Sequence, residues 1–413
     1  MQICLIGATH PCHNPRLTRE ADSLMEAGHE VRVVAPSSMN HLWEKDQRHI
    51  ANRCWRLESV DIRPVGMLGK YRSFVARGKR RLAEQLFQTF GNPSFGEPAY
   101  ITAFTNLKKI ACREPADWFI GHAHPALPVA AAAAKKWNAR LGFDCEDLLA
   151  EMDCARGEIV RSIERQYLHS CDYVSVPSVE VANRLAQEYE ISTPVVLYNV
   201  FPSNLSSNML EPNARLERRV VKVHWFGQTI GHGRGIEEAI EAVGKVRGNL
   251  ELHLRGTVSD LYRAELETLA NRSHVQVHFL PQIDHDELIA SMGDYDIGLA
   301  LERNSIGYSL TVSNKLFSYL LAGLAVAATN TPGQREVMNL IPLAGFLYEP
   351  GDADALASGL QRWIDNSVEL RKTQQVAWEV ARDKFCWDLE KESFLKRIEC
   401  ALPLSTHKEA TAA

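Results

Sequence analysis

The stretch VVKVHWFGQTIGHGRGIEEAIEAV, residues 220–243, gives the strongest indication of the fold. Its first seven residues are an apolar, β-branched run that predicts a strand, and a helix is predicted to begin at Ile236. The loop between them, Gly227 to Gly235, has four glycines in nine residues. Such a loop lets the backbone and the helix N-terminus approach an anion, and Arg234 adds a charge that can hold a phosphate bidentately. We therefore predict a phosphate-binding loop; the alternative is a tight turn without a ligand.

The same alternation of strand and helix continues through the second half of the chain. The loop fits neither the G-x-G-x-x-G pattern nor the P-loop pattern, so a dehydrogenase and a P-loop hydrolase are not expected. Ligands of open α/β sheets bind at the carboxyl ends of the strands. Strands are predicted at 220–226, 250–256, 275–281, 296–301, 324–329 and 345–350, and helices at 236–246, 260–270, 285–292, 314–322 and 353–365.

The first half repeats this pattern. An apolar strand at 2–7 precedes a helix with Asn14 as candidate cap, Pro15 at its first position and Gly28 at its end, and a second strand follows at 30–36. Residues 40–110 are harder to read, apart from a helix predicted at 69–87. The pattern predicts an α/β protein with two Rossmann-like domains, each built on a parallel sheet. The predicted boundaries are 1–200, a linker at 201–218, 219–385, a C-terminal helix at 386–405 that could cross back to the first domain, and a flexible tail at 406–413.

Composition agrees with a soluble two-domain protein. The 413 residues exceed the usual size of one domain, and a formal net charge of −5 argues against a dedicated nucleic-acid binder. The nine cysteines form no C-x-x-C pair, which indicates reduced thiols rather than a zinc site. We find no signal peptide, and the most apolar run, 126–134, is far too short to span a bilayer. A cytoplasmic protein, at most peripheral at the inner face of the cell membrane, is expected.

A second candidate site lies between Asp296 and Thr329. A polar loop follows the strand, and a helix is predicted to start near Ser313, a plausible N-cap, with Lys315 in its first turn. A lysine is unfavourable at a helix N-terminus unless an anion compensates it. This predicts an anion beside Lys315, although an ordinary exposed lysine is the alternative.

Ordered motifs along nearly the whole chain resemble the GT-B glycosyltransferases of family 4, also called group 1. The residues that carry the resemblance are HPCHNPRLTREADSLMEAGHEVRVVAP (10–36), FDCEDLLAEM (143–152), CDYVSVPS (171–178), FGQTIGHGRGIEEAIEA (226–242), HFLPQIDHDEL (278–288), DIGLAL (296–301), SNKLFSYLLAGLAV (313–326) and LYEPGDADALA (347–357).

The resemblance implies two sheets that face a central cleft, with a nucleotide-sugar donor held by the second domain and an acceptor by the first. It implies transfer with retention, no catalytic metal, and a role in bacterial-type cell-surface polysaccharide or glycoconjugate assembly. A UDP-sugar is favoured as donor, and the acceptor is expected to be a saccharide, a lipid-linked acceptor or another hydroxyl compound. The implied donor-binding residues are Gly227, Gln228, Gly233, Arg234, Leu280, Gln282, Asn314, Lys315 and Ser318.

The match departs from the family at several of these positions. The family commonly has an Arg and a Lys flanking the phosphate loop, whereas Gln228 stands at the first position here and Arg234 at the second. It often has two glutamates eight positions apart before the A-G-x-P-V element, where this chain has Leu310 and Ser318. One expected charge is therefore missing, and Lys315 could supply part of it. Ser318 could still contact the ribose through a shorter or water-mediated bond.

In the first domain, the family often has a D-x-H-E-like motif with a histidine near the donor sugar. Here Glu146 replaces that histidine in Asp144-Cys145-Glu146-Asp147, and a carboxylate there could accept hydrogen bonds from the sugar or stabilise an oxocarbenium-like centre. His122 of the H-A-H segment matches a cleft-facing position, although a structural histidine is nearly as plausible. The predicted catalytic residues are Glu146, His122 and Asp144, and the predicted acceptor-binding residues are His10, Asn14 and Arg16.

Two features of the sequence have an ordinary reading beside a functional one. Three D-x-D strings, at 284–286, 294–296 and 352–354, resemble metal-binding pairs, but each lies at a helix start or turn where Asp favours capping, so no metal site is predicted. The basic stretch from Lys70 to Arg81 could contact an anionic membrane surface, or it could be the solvated face of a helix. Gly78 makes the prediction of a helix there weaker.

Two other functions stay open beside the transferase. A nucleotide-sugar 2-epimerase on the same fold would form its product without an acceptor. A non-catalytic relative that binds a saccharide or a partner would fit the loss of the usual side chains at Gln228 and Ser318.

Overall fold

The chain folds into two compact units. A computed structural model describes residues 1–153, 155–302 and 305–400, apart from the side chains of His285 and Asp286. Unit 1 consists of Met1–Pro177, Val181–Leu197 and the residues from Lys391, and unit 2 of Ser178–Glu180 and Tyr198–Glu390. The predicted linker, 201–218, groups with unit 2, and the predicted tail lies outside the described residues.

Seven parallel strands form the sheet of unit 1, in the order β3-β2-β1-β4-β5-β6-β7. The central strands are mostly apolar and buried, as expected for a parallel sheet that helices cover on both faces. The strands are β1 (Gln2–Gly7), β2 (Glu30–Ser37), β3 (Arg56–Asp61), β4 (Trp118–His122), β5 (Arg140–Asp144), β6 (Tyr173–Val176) and β7 (Val195–Val196).

The helices of unit 1 confirm the predicted capping at the first crossover. The Asn14 side chain accepts a hydrogen bond from the Leu17 N–H, Pro15 occupies the first helical position, and Gly28 has a φ of 83° after the helix. The helices are α1 (Pro15–Glu26), α2 (Asn40–Ile50), α3 (Gly66–Phe90), α4 (Pro93–Tyr100), α5 (Phe104–Ala111), α6 (Leu127–Trp137), α7 (Leu149–Met152), α8 (Gly157–Tyr167) and α9 (Val179–Tyr189), whose first two residues group with unit 2.

The region 40–110 holds five elements where the sequence predicted one. Helix α3 is longer than predicted and runs without interruption through Gly78 to Phe90, where Gly91 ends it with a φ of 61°. A Cβ at position 78 would meet open space, so packing does not require the glycine there. Strand β3 was missed because only Val60 of its residues is buried.

Six parallel strands form the sheet of unit 2, in the order β10-β9-β8-β11-β12-β13. Strand β8 extends beyond the predicted end at Phe226, because Thr229 still pairs with Thr257 across an irregularity in the register. The strands are β8 (Val221–Thr229), β9 (Leu250–Thr257), β10 (Gln276–Leu280), β11 (Ile297–Ala300), β12 (Ala325–Thr329) and β13 (Gly345–Tyr348).

The helices of unit 2 match the predicted ones closely, and three were not predicted: α13, α15 and α17. They are α10 (Ile236–Lys245), α11 (Asp260–Arg272), α12 (His285–Ser291), α13 (Ile306–Ser309), α14 (Asn314–Ala322), α15 (Pro332–Met338), α16 (Ala353–Asp365) and α17 (Ser367–Asp383). Helix α18 (Trp387–Cys400) begins in unit 2, and from Lys391 onward it groups with unit 1, where Phe394 packs against Tyr173.

Two further predictions concern the whole chain. Among the described residues no helix is both long and apolar enough to cross a membrane. The eight described cysteines are free thiols, and Cys154 lies outside the described residues.

Candidate active site

The carboxyl ends of three neighbouring strands meet in unit 1. The register pairs Gly7 at the end of β1 with His122 at the end of β4, and His122 with Asp144 at the end of β5. The loops that follow these strands therefore lie side by side at one edge of the sheet. This is the edge where open α/β sheets bind their ligands.

His122 lies at the centre of a buried group of charges at this edge. Its Nε2 is 3.3 Å from the Glu20 Oε2, and its Nδ1 is 3.3 Å from the Asp144 Oδ2. The Nδ1 is also 3.4 Å from the Glu146 Oε1. Three carboxylates thus surround one imidazole.

Arg16 supplies the balancing positive charge. Its Nε lies 2.6 Å from the Asp144 Oδ2, and its Nη1 donates to the Leu197 carbonyl oxygen at 2.7 Å. The other oxygen of Asp144 accepts a hydrogen bond from the Ser175 hydroxyl at 2.7 Å. Asp144 is therefore held from both sides inside the unit, and it presents no oxygen to solvent.

Burial and the neighbouring charges determine the protonation of this group. Burial disfavours the imidazolium form, but Glu20, Asp144 and Glu146 outweigh it and raise the pKa of His122 well above its usual value. For Asp144, burial acts in the opposite sense from the charge of Arg16, which wins and lowers the pKa to about 2. Burial raises the pKa of Glu20. His122 and Asp144 thus stabilise each other's charged forms, whereas burial shifts Glu20 toward its neutral form.

Glu146 is the part of this group that solvent can reach. Its side chain is 23% exposed, whereas those of His122 and Asp144 are completely buried. The Asn14 Nδ2 donates to Oε1 at 2.5 Å, on the same oxygen that His122 approaches. No described residue bonds Oε2, so this oxygen can accept a hydrogen bond from a ligand.

His10, predicted to contact the acceptor, is buried and makes several bonds. Its Nδ1 lies 2.6 Å from the Asp46 Oδ2, and its Nε2 accepts from the Ser38 N–H at 2.9 Å. These bonds use both ring nitrogens and join the loop after β1 to α2. Arg16 is likewise buried against Asp144. To bind an acceptor, either side chain would have to break these bonds and bond the acceptor instead, so this role stays a prediction.

The second histidine of the H-A-H segment has a different environment. The Nε2 of His124 lies 2.7 Å from the Glu164 Oε1, and the Tyr189 hydroxyl donates to the other oxygen of Glu164 at 2.6 Å. Between the two histidines Ala123 has a φ of 64°, and its N–H donates to the Asp144 carbonyl oxygen. This left-handed residue lets the two side chains reach separate carboxylates.

Glu20 was missed by the sequence analysis, although a signal was available. It follows Arg16 by four residues on α1, so both side chains lie on one face of the helix. That face also carries the apolar residues Leu17 and Leu24, which are buried. A carboxylate within an apolar helix face indicates a buried partner, here His122.

In unit 2, the glycine-rich loop begins inside strand β8 and ends at the first turn of α10. Gly233 and Gly235 have positive φ values of 67° and 72°, which glycine adopts without strain. A Cβ at Gly235 would lie 3.1 Å from the Cβ of Leu301, so the loop passes close to the end of β11. The N-terminus of α10 therefore lies beside the loop that leads to α14.

Arg234 is a cation that this loop leaves available. It is half-buried, and no hydrogen bond or ion pair to another described residue holds its guanidinium. Gln228 is exposed at the end of β8, and its carbonyl oxygen accepts from the Thr257 hydroxyl at 2.7 Å. The predicted phosphate loop thus has an available arginine and an exposed amide side chain.

Lys315 has the anionic neighbour that its position at a helix N-terminus requires, and this anion belongs to the chain itself. Its Nζ donates to the Glu302 Oε1 at 2.9 Å, and both side chains are largely buried. The Ser313 hydroxyl donates to the same oxygen at 2.6 Å. Ser313 occupies the N-cap position of α14, but the predicted capping bond is absent among the described residues because Glu302 engages its hydroxyl.

The remaining predicted donor residues lie at the same edge of the sheet or close to it. Leu280 ends β10, Gln282 is exposed in the following loop, and Asn314 is exposed at the first position of α14. Ser318 is fully buried, and its hydroxyl donates to the Asn314 carbonyl oxygen at 3.0 Å. A direct bond from Ser318 to a ribose would require this hydroxyl to turn outward.

The D-x-D strings already have partners where the structure describes them. Asp296 accepts from the Lys222 N–H and pairs with Arg218, and Asp352 caps the N-terminus of α16. The side chain of Asp286 lies outside the described residues. Among the described residues, two groups each bring three potential metal-ligand atoms within 4.8 Å of one another: Glu20, His122 and Asp144, and Glu251, His253 and His278. In the first group, the Arg16 guanidinium already pairs with the Asp144 carboxylate and balances its charge.

Residues 221–366, which contain the loop and both helix N-termini of unit 2, match the family model of the glycosyl transferases of group 1. This stretch forms a group 1 glycosyl transferase domain. The transferase domain includes Gly227, Arg234, Lys315 and Glu302. The resemblance predicted from the sequence is therefore confirmed.

Solved structures extend the comparison of the transferase domain to the whole chain. A sucrose-phosphate synthase from Thermosynechococcus elongatus superposes with a TM-score of 0.70 at 16% identity, covering 97% of this chain and 100% of that one. A glycosyltransferase from Rickettsia africae gives 0.67 at 15% identity, with 98% and 99% covered. The Anabaena protein HepE in complex with UDP gives 0.67 at 16% identity, with 97% and 100% covered.

These structural neighbours confirm the GT-B fold class, together with the two parallel sheets. At such low identity the likeness shows the fold alone. No curated protein sequence matches the chain.

Proposed function

We propose that this chain transfers a glycosyl group from a nucleotide-diphosphate sugar to an acceptor hydroxyl. The observation that carries the proposal is the guanidinium of Arg234, which has no partner among the described residues. It lies in a glycine-rich loop at the N-terminus of α10, inside the group 1 domain. UDP is the favoured nucleotide, because the structural neighbour HepE is a complex with UDP.

The donor phosphates are assigned to the loop Gly227–Gly235. Arg234 can bind two phosphate oxygens at once, and the first N–H groups of α10 and the helix dipole add further attraction for negative charge. These groups would stabilise the charge that develops on the leaving diphosphate, which is the role a divalent ion has in other transferases. Transfer without a metal is part of the proposal; the bonds that already engage Asp296 and Asp352 support it.

The sugar and the acceptor are assigned to the charged group of unit 1. Asn14 and His122 contact one oxygen of Glu146, and the other oxygen, Oε2, has no partner among the described residues and would accept from the ligand. A carboxylate in this place can accept hydrogen bonds from sugar hydroxyls and stabilise positive charge on the anomeric carbon. Retention of configuration, and an acceptor from cell-surface polysaccharide or glycoconjugate assembly, complete the proposal by resemblance.

The proposal is tested by incubating the full chain with a panel of nucleotide sugars and hydroxyl acceptors, with products read by mass spectrometry. We expect free nucleoside diphosphate and a glycosylated acceptor in equal amounts. The Glu146→Gln variant should lose turnover but keep its affinity for UDP. If no nucleotide sugar gives a product, and UDP does not bind at millimolar concentration, the proposal fails.

A second candidate is a non-catalytic protein that binds a saccharide or a partner through the same fold. The pairing of Lys315 with Glu302 favours it, because this cation is already neutralised. Calorimetric titration with nucleotides separates the two functions. Binding of a nucleotide without turnover of any of its sugars would support the second.

A further inference from the structure

Helix α3 of unit 1 exposes large apolar side chains. Met67 is 91% exposed and Phe74 is 71% exposed, and Leu68, Tyr71 and Leu82 are each more than half exposed. Soluble surfaces rarely carry so many large apolar residues on one element, and a contiguous patch marks an interaction site.

These side chains lie on a single face of α3. With 3.6 residues per turn, the positions 67, 71, 74, 78 and 82 fall within one arc of the helix. The opposite arc contains the buried residues Ser73, Ala83 and Phe87, and the Phe87 ring packs on Gly96 of α4. The apolar arc is thus turned away from the core of unit 1. We call these residues, Met67, Leu68, Tyr71, Phe74 and Leu82, the apolar arc.

Basic side chains border the apolar arc on both sides. Residues 66–83 contain six Lys or Arg and no Asp or Glu. Only Arg80 forms an ion pair to a described residue, with Glu84. The remaining five are exposed and have no ion pair in the described part of the chain: Lys70, Arg72, Arg77, Lys79 and Arg81.

We propose that α3 binds the surface of an anionic phospholipid bilayer. The apolar arc would enter the boundary between headgroups and acyl chains, and the five exposed basic residues would contact the lipid phosphates. A helix with one apolar arc, basic residues along its edges and no acidic residue among them is the pattern that lies in a membrane interface. The helix does not cross the bilayer, which agrees with the absence of a spanning helix among the described residues.

The charge pattern selects lipid over a protein partner. The core of a protein interface is depleted of charged residues, lysine among them, and its rim is polar. The edges of the apolar arc carry one sign only, over about five helical turns. A planar anionic surface is the partner that matches both edges at once. The proposal is independent of glycosyl transfer, and its test contains no nucleotide sugar.

The test is cosedimentation of the full chain with vesicles. We expect binding to vesicles of phosphatidylcholine with phosphatidylglycerol and little binding to phosphatidylcholine alone, and added salt should weaken it because it screens the charges. The Arg72→Gln/Arg81→Gln variant should bind about thirtyfold more weakly, since each basic residue near an anionic surface contributes about fivefold. The matched control is Lys108→Gln/Lys109→Gln on α5, which should bind as the unchanged protein does.

Variants of the apolar arc test insertion separately from charge. Phe74→Ser should weaken vesicle binding by about tenfold, because an aromatic side chain then no longer leaves water. Its control is Leu216→Ser, which removes a highly exposed apolar side chain from unit 2. Thermal unfolding midpoints should be unchanged for both, as expected for exposed positions.

A gain of binding provides the sharpest test. Gly78 lies in the middle of the apolar arc, and a side chain added there would meet open space. Gly78→Leu should therefore strengthen vesicle binding by about fivefold. Its thermal unfolding midpoint should stay unchanged, and sedimentation without vesicles should not rise, which separates this gain from loss of fold.

Three results would overturn the proposal. The first is equal sedimentation with neutral and anionic vesicles, or none with either. The second is unchanged binding in the Arg72→Gln/Arg81→Gln and Phe74→Ser variants. The third is a concentration-dependent dimer in size-exclusion chromatography that Phe74→Ser abolishes without vesicle binding, which would assign the apolar arc to a contact between copies.

Discussion

The two candidate sites bring charges together in opposite ways. In unit 1, Arg16, His122 and Asp144 are buried and hold one another, and only Glu146 reaches solvent. In unit 2, the glycine-rich loop leaves Arg234 half-buried and without a partner among the described residues. The first site is already neutralised by its own side chains, whereas the second has a positive charge to offer.

Because of this difference, we expect variants of the first site to change the stability of the fold and variants of the second to change the affinity for a ligand. Removing one member of a buried ion pair leaves an uncompensated charge inside the unit, so changes in the first site should act mainly on folding. An accessible, unpaired cation contributes little to folding, so changes in the second should act on ligand binding. Each variant below tests one side of this contrast.

The largest effect is expected for Asp144→Asn. The variant removes the carboxylate that pairs with the buried Arg16 and should lower the free energy of unfolding by about 3–5 kcal/mol. Urea unfolding followed by circular dichroism measures it. Asp61→Asn, which breaks an exposed pair with Arg63, is the control and should cost less than about 1 kcal/mol. Equal losses in both variants would contradict the contrast.

Arg234→Ala should leave stability unchanged and lower kcat/KM for the donor sugar by about a hundredfold, since a charged donor to the leaving phosphate is lost. Steady-state kinetics on the substrate found in the product screen measures it. Arg247→Ala removes another exposed arginine of unit 2 and should behave as the unchanged protein does. Unchanged kinetics for Arg234→Ala would remove the phosphate assignment.

The contribution of Asp144 to stability should depend on pH. Its pKa falls from 3.8 to about 2 on folding, so the stabilisation is present above 3.8 and is lost as the pH falls through about 2. The shift corresponds to about 2 kcal/mol. The difference in unfolding free energy between the unchanged protein and Asp144→Asn should shrink by about this amount between about pH 5 and about pH 2. A difference that stays constant over this range would show that folding does not lower the pKa of Asp144.

Glu302→Gln is predicted to convert part of unit 2 into a more strongly binding site. The change removes the carboxylate that neutralises Lys315, and UDP should bind about tenfold more tightly by calorimetry. Asp354→Asn is the control, because it removes the partner of Lys245 in an exposed lysine pair away from the predicted donor residues. Weaker binding in Glu302→Gln would mean that the pair positions Lys315 for the ligand.

The smallest effect is expected for Gln228→Arg, which restores the charge that the family commonly has at this position. The new guanidinium should tighten UDP binding by about fivefold, and Gln228 is exposed, so the change should be tolerated. Asn271→Arg places the same charge at the C-terminal end of α11, at the opposite edge of the sheet, and should have no effect. Equal gains in both would indicate a general effect of charge.

The sequence predicted the fold well wherever the apolar residues of an element followed a clear helical or strand spacing. Helices α14 and α16 match the predictions residue for residue, since apolar positions and flanking caps mark both ends. Strand β3 and helix α2 were missed because their apolar pattern is weak: β3 is an edge strand with one buried residue, and α2 has two.

The candidate sites were predicted only in part, for a physical reason. Local motifs indicated Glu146, Asp144 and Arg234, which follow strands. Glu20 and Glu302 escaped because their partners, His122 and Lys315, come from other elements, and the packing of those elements decides which side chains meet. The sequence predicted an anion beside Lys315, and in the structure that anion is the Glu302 side chain of the chain itself.

The backbone at Ala123 limits how this chain can change over evolutionary time. Its φ of 64° is unfavourable for every residue with a Cβ and worst for valine, isoleucine and threonine. The usual order of tolerated replacements is therefore inverted: glycine, normally a costly choice beside a strand, would relieve the backbone, whereas the residues that strands prefer would be rejected. Sequences that diverge from this one while keeping both buried histidines should carry alanine, asparagine or glycine between them.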